Sequence, residues 1–315
     1  MVKVFKEIDK KLTIFSEQEN IFDKITENTW VHLDSSNAEE IAKVSSITNI
    51  DKDLLLSLLD DEESAHMDND EDYTLIVFDI PVVEKDIYVT YPFSIIYNDN
   101  YFVTLSKTNT KLVENILAKF KKIEPHKHIR LSLQIMYRIA SMYIASLKQL
   151  DIKRHELERD LKKSLNNDML LDLMDLNKSL VYFSTSLNAN KSVLNRVKRL
   201  EKYKKYEQDY DLMEDVEVEI NQGIEMCSIY RNITDAMMET FSSIISNNLN
   251  VVMKLLAIIT LIIEIPTLIA SLFGMNVKVP FASNHAGFYI VIAISAVLSI
   301  VGGLILSFIT KYTKK

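Results

Sequence analysis

The chain has 315 residues, a net charge of −8 and one cysteine. This length allows one large domain or two ordinary ones, and the acidic balance disfavours a nucleic-acid partner, which requires a basic protein face. The single cysteine, Cys227, excludes an intrachain disulfide framework and a cysteine-rich zinc site.

Residues 1–128 predict a cytoplasmic α/β domain. The N-terminal run MVKVFKEIDKKLTIF has no apolar core long enough for a signal peptide. Residues 73–83, 93–99 and 101–106 are short, β-branched and aromatic, and Asp/Asn turns separate them, which is typical of strands. Asn37 and Asp51 precede two helical patterns in the position of N-caps.

Residues 129–249 predict almost uninterrupted helix. Between Pro125 and Pro266 there is no proline, and Gly223 is the only glycine, so the two main helix breakers are nearly absent. We expect turns near 166–168 and 206–211, which gives a long helical hairpin and then a stalk helix. Just before this segment, His126 and His128 form an H-x-H pair, which is weak evidence for a metal site and better interpreted as a solvated loop.

Residues 250–315 predict a two-span transmembrane pore region. The first apolar run, 251–273, has only Lys254 and Glu264 as charged residues, and the second, 288–309, has none. Each is long enough to cross a hydrocarbon core of about 30 Å. The tail KYTKK is basic, so the positive-inside rule places it in the cytoplasm. Two crossings then put both termini in the cytoplasm of a multi-pass protein in the cell membrane.

Nearly all polar and small residues of the first span lie on one face. Such a face lines an aqueous pathway in an oligomer, or it packs against another helix without forming a pore. Glu264 favours the pathway, because a mid-membrane carboxylate is costly and in a symmetric oligomer forms a ring that attracts cations. Pro266 is expected to bend or loosen the helix nearby. Steps of four and three along the face give Met253, Ala257, Thr260, Glu264, Thr267, Ser271 and Gly274.

The tripeptide Gly274-Met275-Asn276 directly follows the first span. Glycine permits the chain to turn out of the helix, and the Asn276 amide then stands at the pore mouth. Because Mg²⁺ loses its water reluctantly, an entrance site should accept hydrogen bonds from the bound waters. A ring of neutral amide oxygens suits that task.

These features resemble the CorA family of divalent-cation channels. The matching stretches are FGMN at 273–276, NVVMKLLAIIT at 250–260, the N-terminal TWVHLDSSNAEEI and LLDDEES, and the terminal two-span layout. The resemblance covers essentially the whole chain and implies an α+β/α membrane protein that forms a homopentameric funnel, with the first spans around the pore. It also implies a selectivity filter at Gly274, Met275 and Asn276, a pore-lining Thr267, and an inner pore and hydrophobic gate at Asn250, Met253 and Leu256.

The chain departs from the family pattern at three places. The loop after Asn276 is VKVPFASNH, where the family often has an acidic loop, and Glu264 stands where an apolar residue is usual. In the family, Mg²⁺ bridges acidic residues of neighbouring cytoplasmic domains in the closed state, and here Ser57 falls on one side of that site. A solvated surface is the alternative interpretation of the acidic runs nearby. The regulatory metal residues implied by the resemblance are Glu214, Asp215 and Glu217 on one side and Asp60 and Asp61 on the other.

The sequence favours a channel that passes Mg²⁺, with Co²⁺ and Ni²⁺ as further candidates, and that cytosolic Mg²⁺ also regulates. Its expected partners are further copies of the chain, divalent cations and the lipid bilayer, with no nucleic acid. A Zn²⁺ transporter of the same architecture, proton-coupled through Glu264, is the alternative; the spans contain no Cys or His, which favours Mg²⁺. A membrane-anchored helical scaffold is the second alternative. An enzyme is not expected, because phosphate-binding glycine loops and G-x-S-x-G motifs are absent.

Overall fold

A computed structural model divides the chain into two compact units, residues 1–238 and 239–315. It describes all residues except 17–19, 61–62, 109–110, 121, 162–166, 277–279, 281–285 and 313–315. At 161, 167, 306–307 and 309–312 it describes the backbone alone.

The described residues form seven strands and seven α-helices. The strands are β1 (Val2–Ile8), β2 (Lys11–Ser16), β3 (Thr29–Asp34), β4 (Met67–Asn69), β5 (Thr74–Glu84), β6 (Ile87–Tyr97) and β7 (Tyr101–Ser106). The helices are α1 (Ala38–Thr48), α2 (Lys52–Ser57), α3 (Leu112–Lys119), α4 (His128–Leu161), α5 (Asn167–Val197), α6 (Glu207–Phe273) and α7 (Gly287–Tyr312). Two short 3₁₀ helices span Ile21–Lys24 and Glu201–Lys204.

The strands form one mixed sheet in the order β2-β1-β3-β7-β6-β5-β4. Only the β3–β7 pair is parallel, and the other neighbours are antiparallel. The sequence patterns predict β5, β6 and β7 but not β1, β2, β3 or β4. The charged N-terminal run thus forms two strands, with Val4 and Phe5 of β1 buried.

The centre of the sheet is buried on both faces. Along β5, Ile76, Phe78 and Ile80 belong to one hydrophobic cluster, which includes residues of α3, α4, α5 and the start of α6. The alternate residues Leu75 and Val77 belong to a second cluster, with residues of α1 and α2. Side chains of a strand alternate between faces, so the continuous apolar run TLIVF supplies both layers.

Asn190 of α5 completes the backbone hydrogen bonding where β4 ends. β4 pairs with Thr74–Ile76 alone, and the Val77 N–H donates to the His66 carbonyl. Groups on one side of a strand recur every second residue, so the next outward-facing groups belong to Asp79. The Asp79 N–H donates to Asn190 Oδ1 (2.8 Å), and the Asp79 carbonyl accepts from Asn190 Nδ2 (2.9 Å) and from the Tyr143 hydroxyl (3.1 Å). These bonds attach α4 and α5 to the sheet.

The helices follow the local signals that predicted them. Asn37 caps α1 through a capping box, and the Asp51 side chain accepts from the Asp53 N–H at the start of α2. The chain is helical over α4, α5 and α6. α6 begins at Glu207, so the break before it lies at 198–206, mostly ahead of the turn expected near 206–211. Of the turn expected near 166–168, residue 166 lies outside the described residues, and α5 already begins at Asn167. The first α6 residues, including Met213, Val216 and Ile220, pack into the core of residues 1–238.

Candidate ion pathway

α7 packs closely against the last part of α6 through two adjacent glycines. A Cβ atom on Gly302 would lie 3.0 Å from Ile265 Cδ1, and one on Gly303 would lie 3.2 Å from Ile262 Cδ1. Small residues at a helix contact allow the backbones to approach. This contact was not among the predictions from the sequence, although a Gly-Gly pair inside an apolar span is a signal for it.

The α6 residues partly covered within residues 239–315 share one face. Over the first span, 251–273, they are Ile258, Ile262, Ile265, Pro266, Ile269 and Phe273. At about 100° per residue, they fall opposite the stripe of polar and small residues. The predicted lining residues are all exposed: Asn250, Met253, Leu256, Ala257, Thr260, Glu264, Thr267 and Ser271. Contact with α7 therefore leaves the stripe free.

The two threonines of the stripe turn acceptor oxygens outward. Thr260 Oγ1 donates its proton to the Leu256 carbonyl (2.8 Å), and Thr267 Oγ1 donates to the Ile263 carbonyl (2.9 Å). A hydroxyl that has donated its one proton retains lone pairs for accepting. Both side chains therefore offer oxygen to a cation or to its hydration water.

Glu264 is exposed between these threonines, on the same face. Pro266 lies inside α6, and the helix continues to Phe273. Because proline lacks an N–H, the carbonyl of Ile262 loses its usual intrahelical donor. The effect of Pro266 on the helix is therefore one missing backbone hydrogen bond, and the helix itself continues.

The chain leaves α6 at the tripeptide. The Gly274 N–H still donates to the Ala270 carbonyl (2.9 Å), and no described glycine has a positive φ. A Cβ at Gly274 would lie 3.2 Å from the Ala270 oxygen, so close approach is what favours glycine there. Met275 and Asn276 are exposed, and 277–279 lie outside the described residues.

The implied regulatory residues are not assembled within one chain. Glu214 and Asp215 are exposed on α6, whereas Glu217 forms a salt bridge with Lys198. Asp60 follows α2, and Asp61 lies outside the described residues. Over the part of the chain that the structure describes, none of these carboxylates belongs to a group of three possible metal ligands.

Two apolar helices in the described residues are long enough to cross a membrane, Glu207–Phe273 and Gly287–Ile305. The hydrophobic windows within them are almost wholly unburied in the single chain. An unburied surface of this hydropathy suits a lipid environment.

Comparison with known proteins supports this architecture. The family model described as "CorA-like Mg2+ transporter protein" matches residues 26–311. The chain is 30% identical over 275 residues to the cobalt/magnesium transport protein CorA of Methanocaldococcus jannaschii, covering 85% of this chain and 86% of that one. The complete structure of that CorA superposes with a TM-score of 0.80 at 28% identity, covering 98% of this chain and 96% of the other.

Two further structures share the fold at lower identity. Full-length CmaX has a TM-score of 0.70 at 17% identity and covers 97% of both chains. The cytoplasmic domain of ZntB from Vibrio parahaemolyticus has a TM-score of 0.59 at 14% identity, covering 79% of this chain and 97% of that one. The extent of the family match and the identity to the archaeal protein show that this chain is a membrane protein of the CorA-like Mg²⁺ transporter family, a divalent metal ion transporter and not an enzyme.

Proposed function

We propose that the chain assembles as a homopentamer in the cell membrane and conducts Mg²⁺ into the cytoplasm, with both termini on the cytoplasmic side. Co²⁺ and Ni²⁺ are further candidate ions, and the archaeal relative is a cobalt/magnesium transport protein by name. The observation that carries the proposal is the exposed stripe on α6, opposite the face that α7 covers. A ring of such helices encloses an oxygen-lined path.

In this proposal each part of the ion pathway has a role. Asn276, next to Gly274 and Met275, selects the hydrated ion at the outer mouth by accepting hydrogen bonds from its waters. The threonine oxygens and Glu264 follow along the pore, and Asn250, Met253 and Leu256 form the inner pore and hydrophobic gate. The boundaries near residues 128 and 249 separate the cytoplasmic domain, the helical stalk and the pore region.

Glu264 supports a second candidate function, Zn²⁺ transport coupled to protons. Intramembrane carboxylates form proton relays in pumps and transporters, and the ZntB cytoplasmic domain shares the fold of the N-terminal unit. The alternative of a membrane-anchored helical scaffold is set aside, because the family to which the chain belongs is one of transporters.

The test is ion flux into liposomes that contain the purified protein. Wild type should admit Mg²⁺, Asn276→Ala should reduce the flux at least tenfold, and Glu264→Gln should reduce it severalfold, because local cation enrichment is lost. Ser295→Ala is the matched control: it removes a hydroxyl that donates to the Val291 carbonyl within α7, away from the stripe. Zn²⁺ flux that requires a proton gradient and Glu264, without Mg²⁺ flux, would replace the proposal by the second candidate.

A further inference from the structure

Three metal-ligating side chains converge in the N-terminal unit, remote in sequence from the ion pathway. Glu7 lies near the end of β1, and Glu124 and His126 flank Pro125 in the loop before α4. One ligand atom from each lies within 4.8 Å of the others, and His126 Nδ1 is 3.3 Å from Glu7 Oε2. A turn closed by the Lys127 N–H and the Glu124 carbonyl (2.9 Å) holds the two loop residues together.

We propose that Glu7, Glu124 and His126 form a binding site for one divalent transition-metal ion of the zinc, cobalt or nickel class. Such ions bind carboxylate oxygen and imidazole nitrogen at about 2.0–2.2 Å, so the three donors need to close by only about an ångström. An imidazole ligand favours this class over Mg²⁺, which prefers oxygen donors and retained water. Three protein ligands leave a further position for water.

Two lysines form salt bridges with the carboxylate of Glu124. Lys122 lies 2.8 Å from Oε1 and Lys127 lies 3.0 Å from Oε2. Both lysine side chains are largely exposed, at 69% and 45%, whereas Glu124 is 9% exposed. Because the ammonium groups themselves reach solvent, they can be rehydrated when a metal ion takes their place at the buried carboxylate.

The charge state of the carboxylates suits a metal ion. With both lysines displaced, the carboxylates of Glu7 and Glu124 balance a divalent charge, and His126 adds a nitrogen donor. The site is therefore ready to exchange two monovalent partners for one divalent ion.

His126 and His128 do not act as a pair. The ring of His128 lies 5.8 Å from the rings of Tyr97 and Phe102, and burial lowers its pKa. The H-x-H pair therefore contributes one ligand, His126, and not two. The third ligand of the site, Glu7, is more than a hundred residues away in sequence, and only the folding of the N-terminal unit brings it next to the loop.

The experiment is a Co²⁺ titration of the purified full-length protein in excess Mg²⁺, followed by the visible absorption of bound Co²⁺. The excess Mg²⁺ occupies oxygen-only sites, including any in the ion pathway. Wild type should bind one Co²⁺ per chain under these conditions. His126→Ala and Glu7→Gln should each weaken that binding by about tenfold or more, whereas His155→Ala, at an exposed histidine of α4, should leave it unchanged.

Thermal unfolding provides the second readout. Added Zn²⁺ should raise the unfolding temperature of wild type and of His155→Ala but not of His126→Ala. Equal Co²⁺ binding by wild type and His126→Ala would overturn the proposal, as would displacement of the bound Co²⁺ by Mg²⁺. Because neither readout measures flux, the site is tested independently of the proposed transport.

Discussion

At the scale of single residues, burial decides the chemistry of His32 in β3. Its Nδ1 lies 3.0 Å from Thr104 Oγ1, and its ring stacks on Phe93 at a centroid distance of 6.0 Å. Burial, with a smaller contribution from Lys3, lowers the pKa of His32 from 6.5 to about 3. The neutral imidazole is therefore part of the sheet core.

This pKa predicts a loss of stability in acid. Between pH 6.5 and about 3 the unfolded chain takes up a proton at His32 that the folded chain refuses, so stability that is complete above pH 6.5 falls as the pH falls. The expected slope is about 1.4 kcal/mol per pH unit. The carboxyls of Asp34 and Asp79, whose pKa values desolvation raises, act in the opposite direction, so a variant must isolate the histidine.

The comparison is thermal unfolding against pH for wild type, His32→Gln and the exposed-histidine control His155→Gln. On unfolding in acid, His32→Gln should take up about one proton fewer than wild type, so its stability should depend less on pH. His155→Gln should show the same pH dependence as wild type. Identical slopes for all three proteins would show that His32 does not carry the effect.

At the scale of elements, Asn190 fastens α5 to the sheet edge beyond β4. Replacing it with alanine removes the hydrogen-bond acceptor of the Asp79 N–H and one donor to the Asp79 carbonyl, and Asp79 is partly buried. We expect Asn190→Ala to lower the free energy of unfolding by about 2–3 kcal/mol, because a backbone N–H is left without its partner. Asn188→Ala is the control, since Asn188 is exposed and donates only to Ser184 within α5. Equal destabilisation by both variants in a denaturant titration would contradict this role.

Elements with strong local chemistry could be predicted from the sequence. The Asn37 and Asp51 caps, the apolar spans and the run without helix breakers each act through neighbours in the chain. The stripe on the first span was also visible, because helical periodicity alone defines a face.

What the sequence did not predict depends on distant contacts. The parallel pairing of β3 with β7 joins residues about seventy apart, and the charged, short β1 and β2 gain their order from that sheet. The Gly302–Gly303 contact with Ile262 and Ile265 requires the return of a second helix. Glu7 joins Glu124 and His126 for the same reason.

At the scale of the whole molecule, the proposed regulation depends on contacts between copies of the chain. Asp215 and Glu214 are exposed in the single chain, which is what a bridging ion between neighbours requires, whereas Glu217 is already paired with Lys198. Asp215→Ala should therefore weaken inhibition of flux by Mg²⁺ on the cytoplasmic side severalfold. Glu217→Gln should have a smaller effect. Unchanged inhibition in Asp215→Ala would remove this residue from the regulatory site.

The central claim is that the exposed face of α6 lines the ion pathway, and cysteine accessibility tests it most directly. The chain has one cysteine, the buried Cys227, so a Cys227→Ser background allows single cysteines to be placed along the span. A water-soluble, positively charged thiol reagent should block Mg²⁺ flux severalfold in Thr260→Cys and Thr267→Cys, and should leave flux unchanged in Ile262→Cys and Ile265→Cys, which face α7. Block at the isoleucine positions with none at the threonine positions would contradict the account.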